Sequence, residues 1–408
     1  MITALRGMKD IIDDAPKHER VLNTAIAIAK RHGFNPIDTP ILEETSLFRR
    51  SVGESSDIVG KEMYEFIDKG GANVSLRPEG TAGVVRAFIE KKLDRIGGVN
   101  RFFYRGPMFR YERPQRGRLR LFHQFGVESF GEKSVYEDAA IILLARDIFD
   151  ALGVKYSLEI NSLGCERCMP SYREELSAFL SERQNDLCED CKRRKDTNPI
   201  RALDCKSETC QKIYLDAPLI ADFLCGECKG DFNALQDILT RNEVLFSHNK
   251  KLVRGLDYYN KTAFEFISAE IGSQNAIAGG GRYDTLVERL GGKPTCAVGF
   301  ALGIQRIYDL LSEPQKEREG VYIGAIANEA IGDIFSYALT LRKKVKTFVE
   351  YEPKKLAAHL KNADRLNAKI CAVIGEEERS NGAIWIKNLA DGAESKPNLD
   401  RWLQSDPR

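Results

Sequence analysis

Eight of the ten cysteines fall between Cys165 and Cys228, spaced as Cys165-x-x-Cys168, Cys188-x-x-Cys191, Cys205-x4-Cys210 and Cys225-x-x-Cys228. A C-x-x-C pair offers two thiolates to one tetrahedral Zn²⁺ from a single tight turn, and a cytosolic chain keeps its thiols reduced. The segment therefore has the ligands for two sites of four thiolates each. Residues 170–183 read as a helix, whose ends lie roughly 20 Å apart at about 1.5 Å per residue. The first two pairs are then expected to serve different sites. The spacing leaves open which later pair joins each. It also leaves open a set of buried thiols without metal, because C-x4-C is an irregular ligand spacing.

A second candidate is basic. Residues 101–120, RFFYRGPMFRYERPQRGRLR, hold seven arginines against the single acid Glu112, with aromatics and glycines between them. Either this is a solvated loop or it meets an anion or nucleic acid. Over the whole chain 61 Lys and Arg face 60 Asp and Glu, so any nucleic-acid binding must come from such local patches. The sequence contains no G-x-x-x-x-G-K-[ST], H-E-x-x-H, G-x-S-x-G or G-x-G-x-x-G, and phosphate chemistry would have to rely on side chains. Arg110, Arg254 and Arg306 are the candidates, since a guanidinium matches phosphate oxygens bidentately and stays charged. Their alternative is surface ion pairing. None of His18, His32, His123, His248 and His359 stands in a catalytic spacing beside a nucleophile.

The elements that must carry these residues follow from length and periodicity. At roughly 150 residues per domain, 408 residues imply two or three domains. A chain 43% hydrophobic and 30% charged is neither disordered nor fibrous. No apolar run approaches the 18 or so residues of a membrane span, and Arg6, Lys9 and Asp10 interrupt any signal-peptide core. A soluble cytosolic protein is expected.

Residues 17–32 carry Val21, Leu22, Ala25, Ile28 and Ala29 at helical period, and GFNPIDTPILEE then becomes an extended, proline-punctuated strand. VSLRPEG, NRFFYRGPMFRYE and LRLFHQFGVESFG are short strands with no room for a crossover helix between the last two, which predicts an antiparallel sheet. Residues 135–152 form a strongly periodic helix, KYSLEINSLG a strand, and the cysteine-rich stretch of about 165–245 a mostly helical insertion. AFEFISAE returns to strand, and CAVGFALGIQRIYDLL runs from strand into a helix ending near Ser312. Polar residues 312–320 read as a linker. VYIGAIA, TFVEY and AKICAVIG, separated by helical stretches, then give a βαβαβ unit with a small parallel or mixed sheet. The expected division is an α+β domain over 1–318 and a small α/β domain over 319–408.

Taken together, these motifs resemble a class II aminoacyl-tRNA synthetase, specifically the histidyl-tRNA synthetase family. Gly33-Phe34-x-x-Ile37-x-x-Pro40-Ile41-Leu42 resembles motif 1. Phe109-Arg110-Tyr111-Glu112 with the returning Phe122-His123-Gln124-Phe125-Gly126-Val127-Glu128 resembles motif 2, and Gly299-Phe300-Ala301-Leu302-Gly303-Ile304-Gln305-Arg306 resembles motif 3. The histidine-specific stretches are Arg254-Gly255-Leu256-Asp257-Tyr258-Tyr259 and Ala278-Gly279-Gly280-Gly281-Arg282-Tyr283-Asp284. Five motifs stand in family order across nearly the whole chain, and the C-terminal unit is similar to the family's anticodon-binding domain.

The resemblance implies that L-histidine is activated with ATP to histidyl-adenylate and transferred to the 3′ end of tRNA(His), in the cytoplasm, by a homodimer. It places Arg110 and Arg254 on the α-phosphate, Arg306 on the γ-phosphate and Glu112 at the adenine, with Mg²⁺ bridging the β- and γ-oxygens. Glu128 would accept from the substrate ring N–H, with Tyr259 and Tyr283 as hydroxyls and walls. Glu79, Thr81 and Gln124 would hold the α-amino and neighbouring groups. The glycines at 279–281 would let backbone approach the substrate, and Tyr258 is expected to face away as aromatic core. Arg113, Arg116 and Arg118 are open between tRNA, ATP and solvent. Zinc in the insertion would be structural. One rival is a non-catalytic regulatory subunit of ATP phosphoribosyltransferase; it is expected to lack the arginine of the Arg254 motif and the C-terminal domain, both present here. A synthetase for glycine, threonine or proline would share the scaffold and tail but not both histidine stretches.

Overall fold

A computed structural model describes residues 2–53, 56–115, 117–205, 207–271, 275–312 and 317–405. Arg116 and most of the expected linker, residues 313–316, lie outside the described residues. The chain divides into two compact units, Met1–Leu311 and Ser312–Arg408.

The first unit is built on an eight-stranded sheet ordered Asn35–Pro36, Asn100–Phe109, Leu121–Phe130, Ala297–Gly303, Ala276–Arg282, Asn260–Ile267, Ser157–Ser162 and Ser247–His248. Only the two outermost pairings are parallel; every central one is antiparallel. Helices Ala15–Arg31, Val135–Leu152 and Gly226–Arg241 contribute to the core against this sheet. In the first of these Val21, Ala25, Ile28 and Ala29 are buried, as their period requires, while Leu22 is only partly covered. The Ser134 hydroxyl caps the Val135–Leu152 helix by accepting from the Tyr136 N–H, and Gly153 ends it at φ 70°, a conformation that costs glycine little.

Strand alternation then sorts the remaining side chains. Phe125, Val127, Phe264, Phe266, Val298, Phe300 and Leu302 enter the helix-facing core, so Gln124, Gly126, Glu128, Glu265, Gly299 and Ala301, one residue away, take the other face. A separate three-stranded sheet joins Leu42–Glu44, Asn73–Leu76 and Tyr64–Ile67. The helix after the motif 3 strand is shorter than expected. It spans Ile304–Tyr308 and continues as hydrogen-bonded turns to Leu311 rather than as helix to Ser312.

The second unit holds the expected strands Val321–Ala325, Thr347–Val349 and Ile370–Ile374, mutually parallel. The sequence reading missed two more, Trp385–Asn388 and Glu394–Ser395, which extend the sheet antiparallel to five strands. Their hairpin turns at Asp391-Gly392, where Gly392 takes φ 79° and Asn388 N–H donates to the Ala393 carbonyl group across the turn. That dipeptide is a hairpin signal, but the strands beside it are too short to show a period. No helix is long and apolar enough to cross a membrane among the described residues.

Candidate functional site

The sheet face opposite the helices opens into a cavity of about 590 Å³. Glycines make it possible. Tyr104 lies opposite Gly126 in the strand register, and a Cβ on Gly126 would stand 2.4 Å from its ring, while one on Gly80 would stand 2.1 Å away. Gly299 lies opposite Glu128, and a Cβ there would meet the Glu128 carboxylate at 1.9 Å. Bare backbone on both sides is therefore what lets these two large polar side chains lie flat across the sheet.

At one end the cavity is lined by Glu79, Thr81, Tyr104, Gln124, Tyr258 and Tyr259. Glu79 accepts from the backbone N–H groups of Thr81 (2.7 Å) and Ala82 (2.8 Å) at the start of helix Thr81–Glu90. Burial still holds its carboxyl above the usual carboxylate range. The Thr81 hydroxyl donates to Glu128 at 2.7 Å, and the Tyr283 hydroxyl donates to the other oxygen of the same carboxylate. Glu128 is 1% exposed, and burial pushes its carboxyl up to about 8 against the opposing effect of these two donors; Glu79 adds to the rise. Burying a carboxylate costs free energy unless a charge or donors meet it. Three further polar atoms at this end are buried without a hydrogen-bond partner: the hydroxyls of Tyr104 and Tyr258 and Oε1 of Gln124. Orphans clustered around one space are what an absent polar ligand leaves.

The other end is cationic. Arg110, Arg118, Arg254 and Arg306 all line it. Arg110 Nε is anchored on the Pro78 carbonyl group (2.9 Å), and its guanidinium lies 5.2 Å from the centre of the Phe122 ring. Arg306 donates to the carbonyl groups of Gly117 (2.8 Å) and Ala276 (2.5 Å). Burial and then repulsion from Arg118 and Arg110 lower its pKa, only partly offset by Glu112. Arg118 pairs with Glu112 at 3.2 Å. Arg254 donates to Glu265 at 2.5 Å and lies 5.8 Å from the Tyr259 ring centre; burial opposes its charge, but Glu265 brings the net shift upward. Mutually repelling arginines around a cavity fit a polyanion.

The cysteines assemble into two groups that could each hold a metal ion: Cys165, Cys168, Cys225 and Cys228, and Cys188, Cys191, Cys205 and Cys210. The first and last pairs in sequence join, and the irregular Cys205-x4-Cys210 pair joins the second.

The structure thus brings Glu79, Thr81, Gln124 and Tyr259 together with Arg110, Glu112, Arg254 and Arg306 around one cavity, with Glu128 and Tyr283 directly behind Thr81. Two expectations change and one lining residue is new. Tyr258 does not turn away; it is fully buried yet lines the cavity with its hydroxyl unpartnered. Tyr104 had no motif to mark it, and its place opposite Gly126 comes from the strand pairing. Of the three glycines only Gly279 lines the cavity, and its space belongs to Arg254, whereas Gly280 makes room for the Gly299 carbonyl group and Gly281 for that of Thr262. Arg113 is exposed. The His123 ring is bonded to Gln305 at 2.9 Å.

Known proteins resemble the chain along its whole length. The sequence profile of the histidyl-tRNA synthetase family matches residues 7–307, and that of an anticodon-binding domain residues 321–403. A histidine–tRNA ligase of Sulfurimonas denitrificans is 59% identical over 395 residues, 97% of this chain and 98% of that protein. One of Campylobacter concisus is 59% identical over 401 residues, 98% of each. An apo histidyl-tRNA synthetase of S. aureus superposes with a TM-score of 0.83 at 32% identity, covering 100% of both chains. On this full-length agreement in sequence and fold, with a polar pocket and an arginine cluster meeting in one cavity, the chain belongs to the histidyl-tRNA synthetase family.

Proposed function

We propose that the cavity activates L-histidine with ATP and that the chain, a histidine–tRNA ligase, passes the amino acid to the 3′ end of tRNA(His). In the first step a carboxylate oxygen of histidine attacks the α-phosphorus in line, a new P–O bond forms, and the bond to diphosphate breaks with the electron pair leaving on diphosphate. A ribose hydroxyl of the tRNA then displaces AMP from the mixed anhydride. Negative charge builds on the α-phosphate oxygens as the first step proceeds, so cations fixed beforehand are what accelerate it. Arg110 and Arg254 take that task, Arg306 the γ-phosphate and Glu112 the adenine end. Mg²⁺ arrives with ATP as part of the substrate.

The observation that carries the histidine reading is Glu128, buried between two hydroxyl donors and beside unpartnered tyrosine hydroxyls. A neutral imidazole offers one N–H and one lone pair, and a site built to meet both rejects side chains that leave either unmatched. Glu128 accepts the ring N–H, Tyr259 and Tyr283 supply hydroxyls and walls, Tyr104 and Tyr258 add their free hydroxyls, and Glu79, Thr81 and Gln124 receive the α-ammonium group. Residues 319–408 hold the anticodon arm, the protein works in the cytoplasm as a homodimer, and Zn²⁺ is the ion suited to each four-cysteine group. Pyrophosphate exchange into ATP with each of the twenty amino acids tests the reading: exchange with histidine alone is expected, and exchange with another amino acid, or with none, overturns it.

A further inference from the structure

The four Sγ atoms of each cysteine group lie within 4.8 Å of one another. Cys165 is 3.7 Å from Cys168 and 3.9 Å from Cys225, and Cys188 is 3.7 Å from Cys205. With Zn–S bonds of about 2.3 Å a regular tetrahedron has S···S edges of about 3.8 Å. These separations therefore fit one ion per group, and they exclude disulfides, whose sulfurs are about 2.05 Å apart. Backbone N–H groups also point at the sulfurs, from Cys225 to Cys168 (3.2 Å), Cys188 to Cys210 (3.3 Å) and Ser207 to Cys205 (3.4 Å). Such donors favour the thiolate form that a metal needs.

The two groups differ in what lies beside them. Between Cys191 and Cys205 the chain runs through helix Glu189–Thr197 into the tight turn Pro199–Asp204. Arg201 in that turn is buried, and its Nη1 donates to the backbone carbonyl group of Arg254 at 3.1 Å. Leu203 and Asp204, next to Cys205, line the cavity with Arg254, and so does Gln211, next to Cys210. Gln211 in turn donates to the Cys205 carbonyl group. On the far side Arg194 and Arg193 bind the Asp57 carboxylate at 2.5 and 3.3 Å, docking the helix on the body that carries the sheet.

We propose that Zn²⁺ bound by Cys188, Cys191, Cys205 and Cys210 serves adenylation as well as folding, by holding the 199–204 turn so that Arg201 fixes the backbone of Arg254. Arg201 is then a positioning residue. It touches no substrate, and acts through the carbonyl group of the arginine assigned to the α-phosphate. Small displacements of a preorganised group suffice to slow a reaction. The inference rests on the reading of the cavity as the adenylation site and of the cysteine groups as zinc sites.

The test joins metal content to steady-state kinetics on the full chain. The unaltered protein should carry about one Zn²⁺ per four thiolates, two per chain, and exchange pyrophosphate with histidine; failure of either overturns the underlying reading, not the coupling. Arg201→Met is expected to keep both ions and one cooperative melting transition, lowered by a few degrees for the lost hydrogen bond, while kcat for exchange falls roughly 10-fold or more with the KM for histidine within about twofold. Arg201→Lys should recover part of kcat, because an ammonium can still donate to the carbonyl group. Cys205→Ser should lose one ion and reproduce the same kcat loss. Arg201→Met with unchanged kcat overturns the coupling whether or not Cys205→Ser folds, and so does a Cys205→Ser chain that has lost one ion yet exchanges at the full rate.

Discussion

The guanidinium of Arg254 rests on the bare backbone of Gly279: a Cβ built there would stand 2.2 Å from Nη2. Glu265 holds the same group from Nη1 at 2.5 Å. Arg254 is thus fixed from two sides before any substrate arrives, as electrostatic preorganisation requires. Arg254→Ala is expected to lower histidine-dependent pyrophosphate exchange by roughly 10² or more, about 3–4 kcal/mol of transition-state stabilisation. Gly279→Ala should act in the same direction by displacing the guanidinium. Exchange within a few-fold of the unaltered chain, in a folded Arg254→Ala protein, would remove Arg254 from catalysis.

Glu128 makes the site pH-dependent in two ways. Its carboxyl is pushed up to about 8 by burial, above the value of about 4.3 in an unfolded chain. Between those values the folded chain holds a proton the unfolded one lacks, so stability falls as pH rises from about 4.3 to about 8. Glu128→Gln should flatten that part of the denaturation midpoint against pH. Accepting the ring N–H of a neutral imidazole calls for Glu128 as carboxylate. Below about pH 6.5 both the imidazole and Glu128 are protonated, and with the carboxyl at about 8 in the unliganded chain the KM for histidine should be highest there and fall as pH rises toward about 8. A KM independent of pH from 6 to 9 would show that Glu128 does not contact the ring.

The Tyr104 hydroxyl is buried without a partner, which costs roughly 1–3 kcal/mol. Tyr104→Phe is expected to raise the melting temperature of the unliganded chain by a few degrees and to raise the KM for histidine several-fold. A lower melting temperature with an unchanged KM would make the hydroxyl structural.

The three-stranded sheet presents Leu42, Phe66 and Ile67 to solvent beside Ile41, whereas Ile37 packs into the core around Tyr104. By the strand register Leu42 and Phe66 lie on one face of this small sheet, and exposed apolar side chains on a shared face suit a symmetric partner. Sedimentation at micromolar concentration should give a two-chain species, and Phe66→Glu should shift it toward single chains. A single-chain species in the unaltered protein rules the dimer out.

A chain ending near Glu319 keeps every residue that lines the cavity. It should retain pyrophosphate exchange and lose tRNA charging efficiency roughly 10²-fold, because two linked binding modules gain effective concentration from each other. Both assays need one fixed ionic strength, since phosphate contacts make affinity salt-dependent. Equal loss of both activities would mean the second unit is needed for the first to fold. Unchanged charging would remove residues 319–408 from tRNA binding.

Some of this was legible in the order of residues alone. The helix over Val135–Leu152, the hairpin of Asn100–Phe109 with Leu121–Phe130, and the separation of Cys165 and Cys168 from Cys188 and Cys191 all rest on spacings within one helix, one turn or one pleat, where local geometry suffices. Arg110, Arg254, Glu128 and Tyr283 could be named from short motifs whose family order is itself a property of the chain. Which cysteine pairs close on each other, that Tyr258 and Tyr104 reach the cavity, and that Gly279 makes room for Arg254 are facts of another kind. They depend on strands and turns up to tens of residues apart in sequence meeting at a particular register, such as Tyr104 opposite Gly126 or Gly279 opposite Glu265. A side chain's neighbours across a sheet are set by pairing between strands, which no local period encodes, so only the tertiary structure decided them.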